Sequence, residues 1–358
     1  MTPPSITDAV LQALVGKCER ATLAGNRQPA AAALVKAQAL GHNIVDAVER
    51  REQVIASEHL DPAFAYPGAN WHPEAPNDYL NAYRLMRTLK WEEIKNLRFR
   101  AQNFSGYSLL RFKRGPGTLA TDPVPVDFDA QIPRWPSFKL LFYWRLLTFG
   151  LPSHLLFKPP PMLGEVGWWI NGVLLNEDTA GYQERLSLLA FAQIFAQLPR
   201  RPRILEIGAG YGALATAILS AVPDCEYWIC DLPESLLFSG LYLSLTSDDT
   251  IQLHSVGKQT SARINLVPNY LFPLLADRFD LVINTLSLSE MSEAQIDCYA
   301  SGISKLIGET GAFFEQNKDS RYIGWSHCKP IIARYFTKKK RIRPPFWVRH
   351  GVADVWRN

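Results

Sequence analysis

The sequence predicts a doubly wound α/β fold: a mostly parallel sheet with helices on both faces, preceded by a mainly helical N-terminal region. Three observations carry that prediction. Short apolar runs alternate with stretches of helical periodicity through the C-terminal half. The run Arg203-Ile-Leu-Glu-Ile-Gly-Ala-Gly-Tyr-Gly-Ala-Leu214 passes from an apolar strand through a glycine-rich turn into the start of a helix. Residues 5–57, by contrast, are rich in Ala, Leu, Gln and charged residues, the composition of helices.

Taken in order, residues 5–57 read as two helices separated near Gly25-Asn26. A Pro/Gly/aromatic stretch covers 61–76, and residues 78–100 return to helical spacing through Leu80, Tyr83, Leu85, Leu89 and Ile94. Residues 115–137 are proline-rich and read as a loop. The most apolar segment, 140–157, is interrupted by Arg145, Gly150, Pro152 and His154, so it predicts buried packing and not a membrane span. Its aromatic side chains also suit contact with a membrane surface. Pro159-Pro160-Pro161 is a second break. It divides the chain into a helical accessory region, 1–160, and a sheet domain, 161–358.

Within that domain, residues 183–198 read as an amphipathic helix leading into the sheet, with Asp178 or Thr179 suited to cap its start. Strands follow at Tyr227-Trp-Ile-Cys-Asp231, 264–267 and Arg278-Phe-Asp-Leu-Val-Ile-Asn284. Then come a polar loop, Thr285-Leu-Ser-Leu-Ser-Glu-Met291, and a helix opened by a Ser292/Gln295 capping box. Ile296, Tyr299, Ile303 and Leu306 give that helix its apolar face, and Gly308 and Gly311 punctuate the way into a strand at 312–316.

The glycine turn carries the chemistry. Without Cβ atoms, Gly208, Gly210 and Gly212 let the backbone turn tightly, and the free N–H groups of the next helix point at a ligand. Such a unit is the nucleotide-binding corner of an open α/β sheet. Gly208-x-Gly210-x-x-Ala213 also fits the dinucleotide fingerprint, and Asp231, a ribose-binding carboxylate by position, suits either nucleotide. Glu206 tilts the choice: a pyrophosphate gains nothing from a carboxylate there, whereas a sulfonium and an ammonium are attracted to it. The third glycine also comes one residue early, giving Glu-x-Gly-x-Gly-x-Gly.

That segment resembles motif I of the class I S-adenosylmethionine-dependent methyltransferases. Together with Asp231-Leu-Pro-Glu-Ser-Leu236, Asn284-Thr-Leu-Ser-Leu-Ser-Glu-Met291, Phe313-Phe-Glu-Gln-Asn317, Gly164-Glu-Val-Gly167 and Asn171-Gly172 with Asp178, it is similar to a bacterial sugar O-methyltransferase family over roughly residues 160–320. The resemblance implies a Rossmann-like class I methyltransferase core with a seven-stranded, mostly parallel sheet. It implies S-adenosylmethionine as cofactor, and methyl transfer to a sugar hydroxyl in polysaccharide or glycosylated-metabolite biosynthesis. A polyketide, peptide or phenolic acceptor fits the same chemistry. An NAD-dependent oxidoreductase and an inactive scaffold are the readings from other classes.

On this reading Gly208, Gly210 and Gly212 hold the methionyl part and ribose, Glu206 acts on the amino group, and Asp231 binds the ribose hydroxyls. Leu232 covers the adenine, Asn269 and Tyr270 meet its edge, and Asn284 bonds the donor or the acceptor, or ends its strand. Asp178 and Tyr182 cover the pocket, and Ser287 lies on the acceptor side. A hydroxyl acceptor must lose a proton, so a base is needed. Glu290, after the fourth strand, and His254 and His327, which titrate near neutrality, are the candidates. Each also fits a structural role. No ligand cluster for a metal is visible.

The composition agrees with a soluble enzyme: 358 residues, 47% hydrophobic, 20% charged and a net charge of +4, too small an excess to argue for nucleic acid. The run Lys338-Lys-Lys-Arg341 with Arg343 reads as a solvated edge, or as a rim drawing an acidic sugar. Neither a secretory signal nor a spanning helix is seen, and five scattered cysteines suit a reducing cytoplasm. The N-terminal helices are expected either to close over a small-molecule or glycan acceptor or to form a homodimer interface. Trp168-Trp169 suits sugar stacking or the core.

Overall fold

The structure, a computed structural model, describes residues 17–62, 66–67, 79–101, 123–257, 262–318 and 326–358. A small antiparallel sheet joins β1 (Cys18–Ala21), β2 (Gly167–Ile170) and β3 (Val173–Leu175). The main sheet contains β4 (Arg203–Ile207), β5 (Glu226–Asp231), β6 (Ile251–Leu253), β7 (Ile264–Pro268), β8 (Leu281–Thr285), β9 (Ala312–Gln316), β10 (Lys338–Arg341) and β11 (Ala353–Arg357). These form eight strands in the order β10-β11-β9-β8-β4-β5-β7-β6. The expected seven are present, with short β6 added outside β7.

Residue alternation explains why both faces are covered. Ile204 belongs to one core and Leu205 and Ile207 to the other, and none of β4's last four residues is more than 1% exposed. The helices are α1 (Ala31–Glu49), α2 (Arg51–Ser57), α3 (Tyr79–Met86), α4 (Phe138–Thr148), α5 (Glu177–Phe191), α6 (Ala213–Ala221), α7 (Pro233–Thr246), α8 (Glu293–Ile307) and α9 (Cys328–Ile332). The first core gathers α1, α3, α5, α6 and α7, and the second gathers α8 and α9. Hydrophobic packing therefore runs across residue 160 without a break. Gly240 of α7 makes this possible, since a Cβ there would sit 2.8 Å from Ile44 of α1.

β5, β7, β8 and β9 all run parallel to β4, whereas β11 lies antiparallel to both β9 and β10. One reversed strand has a geometric consequence. The residues leading into β11, 349–352, arrive at the edge where the parallel strands end, and that is where open α/β sheets bind ligands.

Several expectations change. Residues 18–21 form a strand where a helix was expected, because they complete the β2–β3 sheet. The two N-terminal helices lie at 31–49 and 51–57 and meet at Arg50, not near Gly25-Asn26. α5 begins at 177 and is capped by Asn176, whose side chain accepts from Thr179 N at 2.8 Å, so neither Asp178 nor Thr179 is its cap. The capping box of Ser292 and Gln295 is present. Lys338–Arg341 is the exposed edge strand β10; Lys339 and Arg341 reach buried Asp354 of β11 at 3.3 and 3.2 Å, and its charges keep the edge solvated. Trp168 is 4% exposed and donates its indole N–H to Pro133 O at 2.9 Å, which makes it a core residue. All five cysteines are free thiols.

Candidate active site

The glycine turn has the conformation its sequence requires. Gly208, Gly210 and Gly212 have φ of 77°, 58° and 93°, a region that other residues rarely adopt. The missing Cβ atoms, however, face protein. A Cβ on Gly208 would overlap Ser287, and one on Gly212 would lie 3.3 Å from Ser239 Cβ of α7. The glycines let the turn be clasped between α7 and the loop after β8.

Asn284, at the end of β8, fastens that clasp. It donates to Ile207 O at 2.8 Å and to Ser287 Oγ, and accepts from Asn317 Nδ2 at 2.9 Å and Leu288 N at 3.4 Å. An amide has two donors and one carbonyl oxygen, so these partners use its whole capacity. Asn284 therefore ties β4 to β8 and has no bond left for a ligand. Ser287 Oγ donates to the same Ile207 O at 3.0 Å. Between them Leu286 is held at φ 71°, strained for a branched residue.

Two buried carboxylates flank the turn. Glu206, 1% exposed, accepts from Tyr227 OH at 2.9 Å, and burial pushes its carboxyl up to about 8. Asp231 accepts from Ala209 N (2.9 Å), Gly210 N (3.2 Å) and Leu232 N (2.8 Å), and burial lifts it to about 7 against those bonds. A carboxylate offers about four acceptor sites. Binding both ribose hydroxyls would thus need one of the turn N–H groups to let go. No cationic side chain lies within ion-pair distance of either carboxylate, among the described residues.

Side chains from the N-terminal half wall the turn. Arg98, fully buried, lies with its guanidinium 3.7 Å from the ring centre of Tyr211, in the middle of the turn. It pairs with Glu165 at 2.7 Å and with Asp178 at 2.6 Å. Burial raises the Asp178 carboxyl to about 7 in spite of Arg98. Tyr182 meets Tyr211 edge-on at 5.7 Å and Arg185 lies 4.9 Å above Tyr182, so Asp178 and Tyr182 do reach the turn. Arg51 of α2 forms a buried ion pair with Glu234 at the start of α7, next to Leu232. Tyr270 donates to Ala47 O of α1 at 3.1 Å, and Asn269 bonds Tyr299. Both therefore anchor elements to one another.

The candidate bases are scattered. His254 is 8% exposed, bonds Asn265 at 3.0 Å through Nε2 and lies 4.5 Å from the Trp228 ring, outside the glycine-turn site. Glu290 ends the turn after β8, and His327 precedes α9. Ser326 bonds Ser289 O at 2.7 Å and Met291 O at 2.6 Å, which places the segments of Glu290 and His327 side by side at the carboxyl edge. Sequence reasoning missed Arg98, Glu184 and His350. Among the described residues no group of three His, Cys, Asp or Glu could hold a metal ion. No helix among them is long and apolar enough to cross a membrane.

No family model and no curated protein matches the chain. Solved structures do. Human N-acetylserotonin methyltransferase in complex with SAM is 13% identical, covering 50% of this chain and 55% of that one, with a TM-score of 0.33. An O-methyltransferase from Nostoc punctiforme is 14% identical, covering 51% and 61%, with a TM-score of 0.35. The pyocyanin biosynthetic protein PhzM is 17% identical, covering 50% and 58%, with a TM-score of 0.34. The chain spans little more than half the length of these proteins. Its own sheet, with β7-β5-β4-β8-β9 parallel and β11 reversed, has the class I methyltransferase fold and departs from the strand order of dinucleotide-binding domains.

Proposed function

We propose that the chain is an S-adenosylmethionine-dependent O-methyltransferase whose acceptor is a sugar hydroxyl. One observation carries the donor: two buried carboxylates, Glu206 and Asp231, flank the glycine turn with no cationic side chain paired to either. A diphosphate would be repelled there and a sulfonium with an ammonium attracted. When bound, the donor supplies an electrophilic methyl carbon. The chain's residues do the rest: the turn and Asp231 hold the nucleoside end, Glu206 compensates the cationic end, and the Arg51–Glu234 pair keeps α2 against α7.

The acceptor class is supported by the polarity of the carboxyl edge beyond the turn. Glu184, Gln316, Asn317 and the backbone of 349–351 gather there, and they suit a polyhydroxylated ligand better than a flat aromatic one, which needs apolar walls. The test is transfer of tritium from S-adenosyl-[methyl-³H]methionine to nucleotide sugars, methyl glycosides and phenols. Label moving to a glycoside supports the reading. Label moving only to phenols removes the sugar, and binding of NAD but not of S-adenosylhomocysteine removes the donor.

A further inference from the structure

The reversed strand β11 delivers His350 to the carboxyl edge of the sheet, where Glu184 of α5 receives it. Glu184 is fully buried and its carboxylate is saturated: it accepts from His350 Nδ1 (3.2 Å), Gln316 Nε2 (2.6 Å), Arg349 N (2.7 Å), His350 N (3.2 Å) and Tyr143 OH. A carboxylate facing Nδ1 fixes the proton there and leaves Nε2 as the basic nitrogen. The Nε2 side faces Gly181: a Cβ on Gly181 would lie 3.2 Å from Cε1 and 3.6 Å from Nε2. Gly181 immediately precedes Tyr182, whose ring meets Tyr211 of the glycine turn. One turn of α5 thus joins the imidazole to the donor site. Among the described residues Nε2 has no hydrogen-bond partner.

We propose that His350, oriented by Glu184, is the general base that takes the proton of the acceptor hydroxyl. The inference rests on the proposed methyl transfer. The hydroxyl proton moves to Nε2 while the oxygen lone pair forms the bond to the methyl carbon. The bond from that carbon to sulfur breaks, and its electron pair leaves sulfur as a neutral thioether. Glu184 is the positioning residue. The charged and titratable groups facing the ring are Glu184 and Arg185 from α5, Lys318 after β9, and Tyr143 of α4 through Glu184. Arg349 turns its own guanidinium to Glu177. Burial, with Arg185 and Lys318, holds the His350 imidazole below its ordinary value even beside Glu184, and Glu184 itself is lowered to about 2. A neutral imidazole beside an ionised carboxylate is a base ready at neutral pH.

The test uses the full chain and needs no acceptor for its first arm. Long-range ¹H–¹⁵N spectra, with His350 assigned by its loss in His350→Gln, report tautomer and titration. The expected result is an Nδ1–H tautomer, neutral at pH 7, whose Nε2 signal moves when S-adenosylhomocysteine is added; Glu184→Gln should lose the single tautomer. An Nε2–H tautomer, or a ring charged at pH 7, overturns the proposal. With an acceptor in hand, His350→Gln lowers turnover by about 10²–10⁴-fold and removes the acid limb of the pH profile, leaving S-adenosylhomocysteine affinity unchanged. Gly181→Ala keeps a good helix former in α5 and crowds Nε2. It should cut turnover without lowering the melting temperature; unchanged turnover in both variants also overturns the proposal. Failure of S-adenosylhomocysteine to bind would instead refute the methyltransferase reading itself.

Discussion

The guanidinium of Arg98 lies 3.7 Å from the ring centre of Tyr211, so the N-terminal half grips the glycine turn at its middle residue. The same guanidinium is held by Glu165 and Asp178, and none of the three reaches bulk water freely. A planar cation serves this place because it stacks on the ring and forks to two carboxylates at once.

Arg98→Ala should therefore destabilise the fold by about 3–5 kcal/mol, the usual result of leaving buried charges unpaired. Arg98→Lys keeps the charge without the fork and should recover only part of that loss. Chemical denaturation of both variants checks this. Equal stability of Arg98→Lys and the parent would show that charge alone suffices.

Gly208→Ala meets two obstacles, a φ of 77° and the side chain of Ser287. The backbone part alone costs about 1–3 kcal/mol. Adding Ser287→Gly should return the steric part and leave the backbone part, so the double variant melts between the single variant and the parent. A double variant no better than Gly208→Ala would place the strain elsewhere.

Glu206 gives a pH signature. Its carboxyl is raised from 4.5 to about 8 on folding, so the native chain holds a proton that the unfolded chain has released. Stability from this group is thus present below pH 4.5 and declines as pH rises toward 8. Glu206→Gln should match the parent near pH 4.5 and exceed it above pH 8 in thermal melts without ligand. Parallel melting curves at both ends would contradict the burial argument.

The two raised carboxylates also couple donor binding to protons. A cationic donor favours their ionised forms, so affinity for S-adenosylmethionine should rise as pH passes through about 7 and then about 8, with protons released to the buffer. Titration calorimetry in buffers of different ionisation enthalpy measures that release. Uptake of protons would reverse the assignment.

What could be read beforehand was local. The glycine turn, β5, β8 and the capping box of α8 are written in contiguous residues whose spacing and punctuation decide their conformation. Arg98 sits among helical-looking residues with nothing to mark it, and its partner Glu165 is 67 positions away. His350 and Glu184 are 166 positions apart, joined only because β11 runs backwards. The direction of a strand leaves no trace in its own alternation, since apolar residues every second position serve either direction. Asn284 shows the converse failure. A polar residue ending a strand at the ligand edge suggests a ligand contact, but its hydrogen bonds are all used within the protein.

The account stands on the pocket formed by the glycine turn, Glu206 and Asp231. Its most direct test is calorimetric titration of S-adenosylhomocysteine into the parent chain and into Asp231→Ala, with NAD as the control ligand. Saturable binding of the thioether, lost or weakened at least tenfold by the substitution, with no heat from NAD, is the expected result. Equal binding to both chains, or binding of NAD alone, would contradict it.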